Sequence, residues 1–200
     1  MRYKKTYYIF PSAFSDRLCD EIIENGIKNK PDIAFTGNRL PRNEKEVKDV
    51  KQKRDSNVSW LDGIWIMNEL EPYIRKANKA AGWNFDITWP EHAQFTVYDK
   101  GQYYGWHTDS SGHMYESEIQ KGLIRKLSVT VSLSHPHEYE GGLLEFNIGD
   151  MDKQDTIQCI EILPRGSICV FPSYTEHRVT PVTKGKRMSL VQWTNGPEWR

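Results

Sequence analysis

At 200 residues, with 38% hydrophobic and 12% aromatic side chains, the chain has the length of one domain and the aromatic content for a core, which excludes a disordered polymer. Lysine plus arginine and aspartate plus glutamate each number 27, so a zero net charge gives no general attraction to nucleic acid or an anionic membrane, and neither partner is expected. No window reaches the apolar length of a membrane span and the first ten residues lack a signal-peptide pattern, so a soluble, cytoplasmic protein is expected.

Ser15 is placed to cap a helix over 16–28, in which Leu18, Ile22, Ile23 and Ile27 recur at helical spacing and Gly26 loosens the end. The stretch 39–55 is dense in Lys, Arg and Glu and nearly devoid of apolar residues, the composition of a solvated mobile loop. A second helix is predicted over 64–80, with Trp65, Leu70, Tyr73, Ile74 and Ala77 on a broad apolar face and Gly82 beyond its end. After Trp83 the period changes, and short strand-like runs separated by Gly, Pro and Asp follow at 85–88, 93–98, 127–134, 143–146, 157–163, 167–171, 177–180 and 187–193. Helices followed by about eight strands imply an α+β fold, with helices packed on one face of an antiparallel sandwich or jelly roll. One domain over 1–200 is expected, with helical support from 1–84 and a β core over 85–200. Cys19, Cys159 and Cys169 are odd in number and widely spaced, which fits packed thiols better than disulfides or a zinc knuckle.

The chemistry centres on His107-Thr108-Asp109. In an extended chain, residues two apart point to one side, so an imidazole and a carboxylate can share one metal ion. By itself the pair is a weak signal, and His177, opening a later strand, supplies a third ligand. Two histidines and one carboxylate leave open positions on one side of an ion, the facial arrangement of non-haem Fe(II) oxygenases, whereas structural zinc prefers a closed set. The turn at Gly185-Lys186 is expected to fold the last strand back beside that of His177, bringing Arg187 near the metal. Alternation puts Arg187, Ser189, Val191 and Trp193 on one face, where Arg187 and Ser189 can hold a carboxylate.

From about Gln94 onward the chain resembles the prolyl-4-hydroxylase-like Fe(II)/2-oxoglutarate dioxygenases, the PKHD-type hydroxylases above all. The resemblance is carried by Tyr98-Asp-Lys-Gly-Gln-Tyr-Tyr-Gly-Trp-His107-Thr-Asp109, by Leu127-Ser-Val-Thr-Val-Ser-Leu-Ser and by Tyr139-Glu-Gly-Gly-Leu-Leu. It continues through Phe171-Pro-Ser-Tyr-Thr-Glu-His177 to Arg187. It implies a double-stranded β-helix (a cupin-like jelly roll), iron ligands His107, Asp109 and His177, and Arg187 as partner of the 2-oxoglutarate C5 carboxylate. It further implies Tyr98 as a co-substrate contact, with Ser189 and Thr130 or Ser132 in the same pocket. Fe(II), 2-oxoglutarate, O2 and ascorbate are the implied cofactors and co-substrates. The implied reaction is hydroxylation of a prolyl or other amino-acid residue in a peptide or protein, with release of succinate and CO2.

A free amino acid or small molecule is the alternative substrate, and a non-catalytic jelly-roll binding module is the competing class. Oligomeric state is left open. The Ser-rich and Gly-rich stretch 110–122 is the expected lid. His92, His113, His135 and His137 are rival ligands with better surface or structural explanations. Tyr103, Tyr104, Trp106, Tyr115, Tyr139 and Tyr174 are assigned to the mouth or the core, and Trp193 to the neighbourhood of the metal pocket.

Overall fold

The computed structural model describes residues 5–34, 43–110, 121–149 and 155–199. The first part of the chain forms β1 (Tyr8–Phe10), α1 (Asp16–Lys28), β2 (Asp32–Ile33), α2 (Glu44–Lys53), β3 (Arg54–Asp55), β4 (Asn57–Leu61) and α3 (Ile64–Ala80). Strands β5 (Trp89–Pro90), β6 (Ala93–Tyr98), β7 (Tyr103–His107), β8 (Leu123–Ser132), β9 (Tyr139–Gly141), β10 (Leu144–Asn147) and β11 (Thr156–Gln158) follow. A 3-10 turn at Ile160–Ile162 leads into β12 (Ile168–Pro172), β13 (His177–Val179), β14 (Val182–Gly185) and β15 (Arg187–Pro197). The strands pair antiparallel into a major sheet, β1-β12-β8-β15-β6-β4-β2 with β5 beside β15, and a minor sheet, β11-β10-β13-β7-β3; β14 pairs with β9 apart from both. The architecture is an α+β jelly roll, a double-stranded β-helix with α1 and α3 packed on the major sheet.

Both expected helices form with the expected bounds. The Ser15 hydroxyl accepts from the Leu18 amide at 3.3 Å, satisfying one donor at the start of α1. The buried residues Cys19 and Ile22 of α1 and Ile66, Leu70, Ile74 and Ala77 of α3 pack on Phe95, Val97, Val129, Val131 and Leu190 of the major sheet. Each such Leu, Ile or Phe removed from water contributes about 2 kcal/mol. Gly26 is not a loosened end: a Cβ there would lie 2.3 Å from the Phe95 ring, so the missing side chain is what lets α1 approach the sheet.

The opposite face of the major sheet is polar, and buried all the same. Register places Tyr98 beside Arg187, Thr96 and Ser132 beside Ser189, Thr130 beside Val191, and Ser128 beside Trp193. The alternation Leu127-Ser-Val-Thr-Val-Ser therefore sends apolar residues to the helices and hydroxyls to the cleft between the sheets. Towards β1 this inner face turns apolar, with Cys169 and Phe171 packed on Leu144, Phe146, Cys159 and Ile162. All three cysteines are free and buried.

Several expectations change. The charged stretch is not a loop over its described part, because 44–53 is helix α2, capped by Asn43, with Glu44 and Glu46 in the first turn and Lys51 and Lys53 in the last. That charge order complements the helix dipole, and the stretch needs no buried face to be helical. The run 85–88 is not strand; β5 begins at Trp89. The run 157–163 breaks after Gln158 into the 3-10 turn. The strand of Arg187 does not lie beside that of His177, because β15 sits between β8 and β6 in the major sheet while β13 belongs to the minor one. The first 84 residues also supply β1, β2 and β4 to the major sheet, in addition to helices.

Candidate metal centre

His107 ends β7 and His177 opens β13, and the two are direct partners in the minor sheet. Asp109 lies two residues past β7, where its amide and that of Ser110 both donate to the Ser173 carbonyl at 2.9 Å. Antiparallel pairing and these two hydrogen bonds bring together side chains seventy residues apart. The ligand atoms of His107, Asp109 and His177 lie within 4.8 Å of one another, and among the described residues this is the one His/Cys/Asp/Glu group able to hold a metal ion.

Hydrogen bonds set the chemistry of the two rings. Nδ1 of His107 is 2.8 Å from the Gly105 carbonyl and Nδ1 of His177 is 2.9 Å from the Thr175 carbonyl. A carbonyl only accepts, so each Nδ1 carries the proton and donates, leaving Nε2 as a bare lone pair. Each Nε2 faces a different Asp109 oxygen at 3.6 Å, too long for a hydrogen bond. Two lone pairs and a carboxylate pointed at one spot repel unless a cation sits among them. The residues present therefore fit a divalent ion with bonds of about 2 Å.

Burial holds the His177 imidazole down to about 4 despite the pull of Asp109, so the ring is neutral near pH 7. Burial acts to raise the Asp109 carboxyl, but the two imidazoles and the Ser128 hydroxyl outweigh it and hold the group below the usual carboxylate range. Ser128 Oγ donates to Asp109 Oδ2 at 2.7 Å and shares a hydrogen bond of 2.9 Å with Ser173 Oγ. Phe171 meets the His177 ring edge-on at 4.7 Å between centroids. Tyr104 stacks on His107 at 3.5 Å, and burial pushes its hydroxyl up to about 12.

Arg187 lies on the facing sheet, 4% exposed, with Nη1 donating to Ser189 Oγ at 3.2 Å and the guanidinium 5.4 Å from the Tyr98 ring. Among the described residues no carboxylate pairs with it, so this buried cation fits an incoming anion. The backbone of Gly142 closes the pocket: its φ is +59°, and a Cβ there would lie 2.8 Å from Arg187 Cδ. Thr130 and Ser132 stand on the same inner face, both buried. Trp193 lies in register with Ser128, its indole under the Arg125 guanidinium at 3.9 Å.

Other residues singled out in the sequence lie elsewhere. His92 is 3.6 Å from Asp62, and His135 stacks on His137 at 5.2 Å and faces Arg165. The Tyr103 hydroxyl donates to the carbonyls of Lys51 and Gln52 at the end of α2, and Trp106 lies under Arg178. Tyr139 is buried, and Tyr174 packs on Phe85 and Trp199, so of the described aromatics expected at the mouth only Tyr104 touches a ligand ring. His113, Tyr115 and most of the expected lid, 111–120, lie outside the described residues. Sequence reasoning missed Ser128 and Ser173, which hydrogen-bond around Asp109, and the buried Arg54, whose guanidinium stands 4.6 Å from the Tyr104 ring. The signal for Ser128 was present, a polar residue in a strand whose neighbours at odd positions are apolar.

The jelly roll that places the His-Asp-His group and Arg187 on facing sheets is, as a fold, shared with solved prolyl hydroxylases. The viral collagen prolyl hydroxylase of Paramecium bursaria Chlorella virus-1 superposes with a TM-score of 0.65 at 21% identity, covering 96% of this chain and 97% of that one. A prolyl hydroxylase from Trichoplax adhaerens, solved with a peptide fragment of hypoxia inducible factor, gives 0.69 at 14% identity over 94% and 83%. Residues 93–195 match the 2OG-Fe(II) oxygenase superfamily, and the chain belongs to that family. A PKHD-type hydroxylase of Aliarcobacter butzleri is 36% identical over 142 residues, 69% of this chain and 59% of that protein. The PKHD-type hydroxylase YbiX of Escherichia coli is 36% identical over 100 residues, 50% of this chain and 40% of that protein. The matches thus span about half the length of these relatives.

Proposed function

We propose that the chain is an Fe(II)- and 2-oxoglutarate-dependent dioxygenase that hydroxylates an unactivated C–H bond of a prolyl or other amino-acid residue in a peptide or protein, releasing succinate and CO2. The observation that carries this reading is the pair of bare Nε2 atoms converging on Asp109, opposite a buried guanidinium that no described carboxylate neutralises.

In this reading His107, Asp109 and His177 hold the iron. Arg187 and Ser189 bind the C5 carboxylate of 2-oxoglutarate, with Tyr98 beside them and Thr130 or Ser132 lining the same pocket. Bound iron, with O2 and 2-oxoglutarate, supplies the oxidising power. The protein's own part is orientation and dryness: the Gly105 and Thr175 carbonyls fix the two imidazoles, Ser128 fixes the carboxylate, and Phe146 and Phe171 wall off His177. A free amino acid is the second reading of the substrate, favoured by the surroundings of Arg54.

The test is succinate formation by purified protein supplied with Fe(II), ascorbate and 2-oxoglutarate, with His177→Ala beside it. Succinate above the variant's level, increased by an amino-acid or peptide substrate that gains one oxygen, supports the proposal. Equal succinate from parent and variant across peptide and amino-acid libraries leaves a jelly-roll binding module as the function.

A further inference from the structure

We infer that the substrate carries a free carboxylate and that Arg54 is the group that receives it. The inference rests on the oxygenase reading above and narrows its substrate to a free amino acid or the last residue of a peptide.

Arg54 belongs to the charged stretch, yet it is 6% exposed. Its Nε donates to Ser56 Oγ at 2.9 Å and its Nη2 to Gln94 Oε1 at 2.8 Å. A guanidinium has five N–H donors, so three, including both on Nη1, have no acceptor among the described residues. No described carboxylate pairs with Arg54: Asp55, its neighbour, pairs with Lys51 and accepts from Gln102.

The Arg54 side chain lies one aromatic ring away from His107. The guanidinium stands 4.6 Å from the centre of the Tyr104 ring, and Tyr104 stacks on the ligand ring of His107. Its acceptor Gln94 is on the inner face of β6, four residues from Tyr98, the register partner of Arg187. Gln94 and Tyr98, the β6 residues beside the two arginines, are about 13 Å apart along the strand at the usual rise per residue, so Arg54 and Arg187 mark different positions on the inner face.

Charge balance turns this placement into a substrate class. Among the described residues, Arg54, Arg125 and Arg187 each approach the inner faces of the sheets. Arg125 is neutralised by Glu91, which it binds through Nε at 2.7 Å and Nη2 at 2.6 Å. Arg187 is assigned to the co-substrate. Arg54 remains, a cation largely removed from water with no anion among the described residues, and a buried unpaired charge is costly unless a ligand brings its partner. An internal peptide residue offers only neutral carbonyls there, whereas an α-carboxylate offers two charged acceptors in the geometry a guanidinium fork prefers.

The experiment uses matched pairs: amino acids against their carboxamides, and short peptides ending in the same residues as acids, as amides, or extended by one residue. Substrate-stimulated succinate and oxygen gain by mass are read for the parent, Arg54→Gln and Arg54→Lys, and calorimetry measures binding of the same pairs to protein loaded with Mn(II) and 2-oxoglutarate. The parent is expected to prefer the acid by about 10-fold or more, the usual worth of a charge-assisted pair. Arg54→Gln is expected to bring the ratio close to one and Arg54→Lys to retain part of it. Because a ratio is read within each variant, a general loss of activity does not move it. Preference for free amino acids over C-terminal residues, or the reverse, identifies the source of the carboxylate. Amides or extended peptides used as well as acids by the parent, or an acid preference unchanged in Arg54→Gln, overturns the inference. Absence of succinate with every compound overturns the oxygenase reading instead, while the calorimetric acid-to-amide ratio still decides the role of Arg54.

Discussion

Replacing Ser128 by alanine removes one atom that touches no metal ion and is nonetheless expected to weaken metal binding. Its hydroxyl gives Asp109 Oδ2 a hydrogen bond of 2.7 Å and continues to Ser173 Oγ at 2.9 Å, in a residue with no exposed surface. A hydrogen bond to a charged group is worth about 1.5–3 kcal/mol, or about 10-fold to 100-fold in an equilibrium constant. Losses of that size are typical when a group that orients a metal ligand is removed. Two backbone bonds from Asp109 and Ser110 to the Ser173 carbonyl persist in the variant, so the loop stays in place and only the carboxylate loses its restraint. Calorimetric titration of metal-free protein with Mn(II) is the assay, run on the parent, Ser128→Ala, Ser173→Ala and the double variant. The dissociation constant is expected to rise by about 10-fold or more in Ser128→Ala. The double variant is expected to show a coupling of at least about 0.5 kcal/mol between the two hydroxyls. A constant within twofold of the parent, in a variant with the parent's melting temperature, would refute the idea that Ser128 orients the ligand.

Gly142→Ala puts a methyl 2.8 Å from Arg187 Cδ at a φ of +59°, so it is expected to raise the dissociation constant for 2-oxoglutarate while leaving Mn(II) affinity within about twofold; calorimetry reads both. In Gly26→Ala the new Cβ would sit 2.3 Å from the fully buried Phe95 ring, and the overpacking is expected to cost about 1–3 kcal/mol in urea unfolding. Acid is expected to destabilise the metal-free protein. The folded His177 titrates at about 4 against 6.5 unfolded, so as pH falls below about 6.5 the unfolded chain takes a proton that the folded chain refuses. Stability is then fully present above that value and falls by about 2 kcal/mol from this group between pH 7 and pH 5. Asp109, held below its usual range, adds to the loss only at lower pH. Urea midpoints at the two pH values, with His177→Gln as the variant expected to flatten the difference, measure the contribution.

The parts of this molecule governed by local rules are legible in its sequence. Ser15 and the spacing of Leu18, Ile22 and Ile23 are enough to bound α1, because capping and a helical apolar stripe act within a few residues. The alternation over 127–132 shows which side chains turn inward, and His107-x-Asp109 shows two donors on one side of the chain. What the sequence concealed depends on partners far along the chain. Arg54 looked like one more solvated charge because its acceptor Gln94 is forty residues away, and β2 and β4 join the sheet only through pairing with β6. The last hairpin misled for a related reason. A tight turn at Gly185 is visible in the sequence, but β14 leaves both sheets to pair with β9, so β15 is free to enter the major sheet opposite His177. Gly26 shows the same limit at one residue, since a helical glycine reads as a weakness until the ring of Phe95 fills the space its side chain would need.

Convergence of His107, Asp109 and His177 on one iron ion, with Arg187 holding the co-substrate across the cleft, is the claim on which the account turns. Anaerobic titration of the protein with Fe(II) in the presence of 2-oxoglutarate tests it, followed by the visible charge-transfer absorption of iron chelated by a 2-keto acid. The expected result is a band that saturates at one iron per chain, disappears in His177→Ala and in Asp109→Ala, and requires much more 2-oxoglutarate in Arg187→Ala. No band in the parent, or the same band in the ligand variants, would contradict it.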